Sequence, residues 1–153
     1  MEALSEITRQ IQNILAFGTI AEVNHEAVLV RININGRLTN WVSGPGIVGN
    51  NLRASNHLRV GTQCLVGCPA GDPANAVILT ILNSNSLFTP SSDGAVDTVV
   101  WNDGTTVKYD TNSKTMTVHS MGDLVLTAAG AIRIKADGDL WLDGAKIHAL
   151  EDS

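Results

Sequence analysis

A chain of 153 residues has room for one domain of ordinary size or two small ones, and ten Lys and Arg against 15 Asp and Glu leave a formal charge of -5, which argues against nonspecific binding of polyanions. Charged residues make up 16 % and aromatics 4 % of the chain, a glycine-rich balance that suits sheets filled by Val, Ile and Leu. No apolar run reaches membrane-spanning length, and nothing at the start resembles a signal peptide, so the expectation is folding and assembly in a reducing cytoplasm.

Residues 2–15 predict a helix. Leu4, Ile7, Ile11 and Ile14 are spaced three, four and three, a short a/d stripe, and Ser5 and Glu6 suit a first turn. Two heptads are too few to stand alone. Isoleucine at both a and d leans towards trimers, so the stripe packs either on its own domain or in a three-helix bundle.

From Phe17 the apolar period changes to two. Five strands are predicted: Phe17 to Asn24, Ala27 to Ile34, Arg37 to Val42, Thr62 to Cys68 and Ala76 to Leu82. Asn35-Gly36 marks a type I′ hairpin between the second and third. A polar excursion opened by Gly44-Pro45-Gly46 runs to His57, and Pro69-Ala-Gly-Asp-Pro73 turns the chain into the last strand. Five short strands with a long connection after the third suggest a small Greek-key barrel of the OB type. Cys64 and Cys68 share one strand and one side. Extended geometry holds them about 13 Å apart, beyond disulfide reach, and both read as small buried hydrophobes.

Residues 83–94 are polar, hold Pro90, and read as a linker. Two strands follow, Thr98 to Asn102 and Thr105 to Tyr109, joined at Asp103-Gly104, and Asp110 to Lys114 turns the chain again. The expected division is a helix at 1–16, an OB domain at 17–86, a linker at 87–100 and a shaft at 101–153.

The stretch from Thr115 to Leu150 organises the rest. Gly122, Gly130 and Gly138 are evenly spaced, and Gly144 comes a little sooner. After each of the first three stands a like-facing apolar pair: Leu124 and Leu126, Ile132 and Ile134, Leu140 and Leu142. Such a repeat marks a β-solenoid, but a five-residue strand plus a turn is too short to close a rung within one chain. Three chains wound about one axis share each rung and leave no sheet edge open. The six residues then meet their copies on the axis, each contributing about 1.5–3 kcal/mol on burial. Asp123, Asp139, Asp143, Arg133 and Lys135 take the outer face, as does Trp141. The competing reading is an antiparallel meander in a monomer.

This order of parts resembles the baseplate assembly protein V family, the central spikes of contractile phage tails and of related pyocins and injection machines. The closest local likeness lies in Gly18-Thr-Ile-Ala-Glu-Val, Val28 to Arg31, Thr39-Asn-Trp41, Val60-Gly61 and Pro69-Ala-Gly-Asp72, with the Gly-Asp-Leu and Asp-Gly repeats behind them. The resemblance implies a mainly β homotrimer on the tail axis. Its OB barrels sit under the tail hub among other baseplate proteins, and its β-helix pierces the host outer membrane mechanically, without catalysis or cofactor. It further implies a virion protein assembled in the host cytoplasm. Some relatives hold an axial iron with His-x-His; here Lys146 replaces the first histidine and only His148 remains. Either three copies of His148 meet a metal, or Gly144 shifts the phase and Ile147 faces inward; the second is preferred and no metal is assigned. The end at Glu151-Asp-Ser153 implies a blunt apex or a separate tip protein.

Two other classes compete. An enzyme lacks its usual marks: His25-Glu26 has no second histidine, there is no Gly-x-Ser-x-Gly, phosphate loop or Cys-x-x-Cys, and Asp137 and Asp139 read as solvated turn residues rather than the carboxylates of a glycan-cleaving spike. An OB module binding single-stranded nucleic acid or a partner has Trp41 and Phe17 with Arg31, Arg37, Arg53 and Arg59 to work with, but these are scattered rather than gathered in a basic groove.

Overall fold

The computed structural model describes residues 1–148, so Ala149, Leu150 and the closing Glu151-Asp152-Ser153 lie outside it. The chain is mainly β, with one N-terminal helix and antiparallel sheets, and divides into two compact units at Gly94/Ala95.

In the first unit helix α1 spans Glu2–Gln12 and ends three residues sooner than the apolar spacing predicts. Asn13 caps it and Ile14 leaves it, because the Ile14 carbonyl accepts the Cys68 N–H at 2.7 Å and is drawn into the sheet. Arg9 closes a 2.6 Å ion pair on Glu6, one helical turn away, and holds its carboxyl below the usual carboxylate range.

The sheet is built from β1 (Leu15–Asn24), β2 (Leu29–Ile34), β3 (Arg37–Leu38) and β4 (Val42–Ser43), then, beyond a small hairpin of β5 (Ile47–Val48) and β6 (Arg53–Ala54), β7 (Gln63–Gly67) and β8 (Val77–Leu82). Its order is β3-β2-β1-β7-β8, with β4 also on β2. The predicted third strand is therefore broken in two. The break falls at Thr39, which is buried: its Oγ1 accepts the Ile32 N–H at 3.0 Å and donates to the Asn40 carbonyl at 2.7 Å, replacing ladder bonds with a side chain. Just past it the Asn40 N–H donates to the Ala74 carbonyl at 2.8 Å, and Asn40 Nδ2 to Asn75 Oδ1 at 3.2 Å. These bonds draw the third-strand region towards the approach to β8, so the sheet curls.

Alternation decides the core. Ile20, Val30, Ile32, Ile34, Cys64, Val66, Cys68 and Ala76 are buried together. Gly18 lies among them because a Cβ there would overlap the Ile32 side chain. A bulge in β1 at Ala21 lies between the Ile20 and Glu22 pairings. Asn35 (φ 51°) and Gly36 (φ 85°) form the left-handed pair that a type I′ turn needs. The start of the predicted second strand is different: residues 25–28 are a turn, fixed by Asn24 Oδ1 accepting the Ala27 N–H, and Val28 ends it at φ 56°.

The second unit is a three-stranded antiparallel meander of β9 (Val96–Val100), β10 (Thr106–Asp110) and β11 (Thr115–His119). All of β9 falls inside the stretch 87–100 assigned as a linker; it pairs along its whole length with β10. The loop at Asp103-Gly104 has three residues rather than two: the Gly104 N–H donates to the Trp101 carbonyl, and Gly104 takes φ 95°. At the next turn Asp110 Oδ1 accepts the Asn112 and Ser113 N–H groups, and Lys114 is left-handed.

Beyond His119 the described chain forms no strand within itself, so the intrachain meander is absent there. It has no helix or strand and bends at 121–122, 129–130 and 137–138, the positions of the evenly spaced glycines, and again at 145.

Candidate assembly surface

Exposed apolar side chains are spread over the single chain, and three elements carry them in a periodic pattern. On α1, Leu4, Ile7 and Ile11 are between 51 % and 70 % exposed, and no helix residue is buried. Ile14, the fourth member of the predicted stripe, is also exposed but lies off the helix. The packing of α1 on its own unit is confined to its C-terminal end, where Gly71 meets the Gln10 backbone.

The second element is the meander. Strand pairing puts Val99, Val107 and Val118 in one row and Tyr109, Met116 and Asp97 in the next row on the same face, apolar but for Asp97. Lys108, Thr98 and Thr117 occupy the opposite face. Such alternation makes one face of a sheet apolar, yet every residue of β11 is exposed and the unit has no second layer over this face.

The third is the repeat. Leu124, Leu126, Ile132, Ile134, Leu140 and Leu142 are 53–68 % exposed, and every residue from Met121 to His148 is exposed. None of the six belongs to the buried cluster. Bends fall at Gly122, Gly130 and Gly138, one before each apolar pair. Trp141 is 83 % exposed. Lys135 and Asp137 approach each other at 3.7 Å as a fully solvated pair, which contributes little.

The remaining polar clusters are structural in geometry. Arg31 donates Nε–H to the Thr39 carbonyl at 2.9 Å, reaches Glu22 at 3.4 Å and lies over the Trp41 ring at 5.9 Å. That guanidinium is occupied by its own sheet, and Trp41 is half covered by it. Cys64 and Cys68 are buried and unpaired; burial pushes both thiols up, and the Asp72 carboxylate adds to the effect on Cys68. Among the described residues no three His, Cys, Asp or Glu side chains converge, and His148 stands exposed. No described helix is long and apolar enough to cross a membrane.

Two features escape a sequence reading. A cleft of about 330 Å³ lies under the β5–β6 hairpin, lined by Val23, Val28, Val30, Ile47, Leu58 and the edge-to-face rings of His25 and His57. The hairpin was legible in Val48-Gly-Asn-Asn-Leu52, a turn between apolar residues, within a segment otherwise read as loop. A shallower groove of about 380 Å³ runs beside the end of α1, between Ile14, Leu15, Pro69, Val77 and Leu79. Nothing in their spacing marks these residues, because they come from three separate segments.

No family model matches the chain. It is 23 % identical over 129 residues to the Spike protein of Escherichia phage P2, an alignment that covers 84 % of this chain and 61 % of that protein. The chain thus carries a distant likeness to a phage spike protein, and it spans about three fifths of that protein's length.

Proposed function

We propose that the chain is a structural component of a phage tail baseplate: its central spike, built from three copies. In this reading the curled sheet of the first unit is an OB-type barrel that sits below the tail hub. The repeat is one strand of an interwound β-helix whose axis is lined by Leu124, Leu126, Ile132, Ile134, Leu140 and Leu142. The assembly pierces the host outer envelope by force and carries out no bond chemistry. Its neighbours are the hub and other baseplate proteins, and it is assembled in the host cytoplasm.

One observation carries the proposal. Residues 121–148 are exposed throughout and bent at regular intervals, with alternating apolar pairs in their sequence and no strand partner among the described residues. Backbone N–H and C=O groups are obligatory hydrogen-bonding groups, and apolar pairs in register seek burial. Copies of the same strand supply both. The likeness to a phage spike protein supports the same reading.

The test is the native mass in solution, by light scattering on a sizing column. A mass of three chains that survives dilution is expected. A stable single-chain mass removes the axial core, and the spike reading with it.

A further inference from the structure

The turn between β2 and β3 carries a reactive pair. Asn35 is the only asparagine of the chain that is followed by glycine. The backbone nitrogen after an asparagine can attack the side-chain amide carbon. A β-branched successor obstructs that approach, and a glycine leaves it open. Asn33, two residues earlier, is followed by Ile34, whose side chain is buried in the core. Asn35 and Gly36 are both exposed, and a Cβ built on Gly36 meets nothing beyond its chain neighbours within 4 Å. Nothing crowds the ring that the attack would close.

The nucleophile is nevertheless engaged. The Gly36 N–H donates to Asn33 Oδ1 at 2.8 Å. To attack, the Gly36 nitrogen must give up that proton and swing onto the Asn35 side chain, and the bond opposes both. Deprotonation would leave an anionic nitrogen facing the Asn33 oxygen, so the bond favours the neutral, unreactive amide. The same bond fixes the nitrogen's position. Asn35 at φ 51° and Gly36 at φ 85° meanwhile hold the two-residue turn that pairs Ile34 with Arg37.

We propose that Asn35 is a site of spontaneous deamidation and that Asn33 sets its rate by holding the Gly36 N–H. In the reaction the Gly36 nitrogen forms a bond to Asn35 Cγ, and the amide nitrogen of Asn35 leaves as ammonia, taking up the Gly36 proton. The resulting succinimide adds water and opens to aspartate or isoaspartate. Either product puts a carboxylate two residues before Arg37, where none stood. Isoaspartate also moves a methylene into the backbone, so the turn no longer fits the pairing of Ile34 with Arg37. Ile34 belongs to the core, so the change reaches the packing of the first unit. The site goes beyond the spike reading and does not depend on how many copies assemble.

Peptide mass spectrometry of the full-length chain tests this. The protein is held at mildly alkaline pH, sampled over time and digested with trypsin. Cleavage after Arg31 and Arg37 releases Ile32 to Arg37, and fragment masses distinguish Asn35 from Asn33 within it. Asn35 should convert in the folded chain before any other asparagine, but more slowly than in the same chain unfolded in urea. Asn33→Ala should speed the conversion roughly two- to tenfold, the worth of one hydrogen bond. Asn33→Asp, which keeps an acceptor at that place, should convert no faster than the natural chain. An unconverted Asn35 in the folded chain would overturn the site. An Asn33→Ala rate equal to that of the natural chain, or an Asn33→Asp rate equal to that of Asn33→Ala, would overturn the role of Asn33. So would a parallel rise at Asn50 and Asn51 in Asn33→Ala, because it would mean that the whole unit had loosened.

Discussion

Val28 shows at the scale of one residue how far local preference can be overruled. A β-branched residue at φ 56° is held against its own backbone preference. What holds it is the turn before β2, where Asn24 accepts the Ala27 N–H, and the Val28 carbonyl, which accepts the Gly44 N–H at 3.3 Å. Asparagine tolerates the left-handed region. Val28→Asn should therefore raise the urea midpoint of the first unit by the equivalent of about 1 kcal/mol; an unchanged or lower midpoint would mean that the valine side chain contributes more in the cleft than its backbone costs. Asp110 works in the opposite direction. Its carboxylate accepts the Ser113 and Asn112 N–H groups, and these bonds, the Ser113 bond first, hold its pKa below the ordinary value. A lowered folded-state pKa gives stability that is present above the unfolded value, near 3.9, and is lost as pH falls through the folded one. The turn after β10 should accordingly loosen in acid below about pH 4, read as faster hydrogen exchange at the Asn112 and Ser113 amides after correction for intrinsic rates. The Asn35-Gly36 turn needed no tertiary information, since both residues favour the left-handed pair. Val28 gave no such signal, because a valine at positive φ is imposed by bonds made elsewhere.

The elements divide in the same way. Alternation located all the long strands of the first unit, since burial on one face of a strand leaves a period of two that survives in the sequence. It misjudged the third strand. Thr39 lies in the middle of the predicted strand and is buried, but its hydroxyl supplies bonds that a ladder would otherwise make. Thr39→Val, which keeps the shape, should leave the Ile32 N–H without its partner and cost about 1–3 kcal/mol in equilibrium unfolding. A cost near zero would show the backbone closing into a continuous strand instead. Helix α1 was overextended for a related reason. The apolar spacing runs on to Ile14, but the Ile14 carbonyl is committed to Cys68, a residue 54 positions later in the chain. Strand β9 was partly missed because Val96 and Asp97 follow a polar segment without a break in composition, and only the pairing of Asp97 with Tyr109 and Val96 with Asp110 reveals them.

For the whole molecule, the legible and illegible parts change places. The repeat, the most regular stretch of sequence, forms no strand among the described residues, and the proposed assembly accounts for this by placing its partners outside the chain. The groove beside α1, which no periodicity describes, lies in the part that is packed. It follows from the proposed axial core that a charge at Ile132 should prevent assembly: Ile132→Asp is expected to elute at the mass of one chain, and a soluble three-chain species of unchanged heat resistance would refute the axial placement. The two buried cysteines give that experiment an internal clock. Both lie in the first unit and the second has none. A thiol reagent therefore reacts only when the curled sheet opens, whatever the repeat is doing. If Ile132→Asp separates the chains while labelling stays slow, the sheet is a self-sufficient folding unit that waits for its neighbours. If labelling becomes fast, the copies protect one another's interiors, and shaft and sheet fail as a single cooperative body.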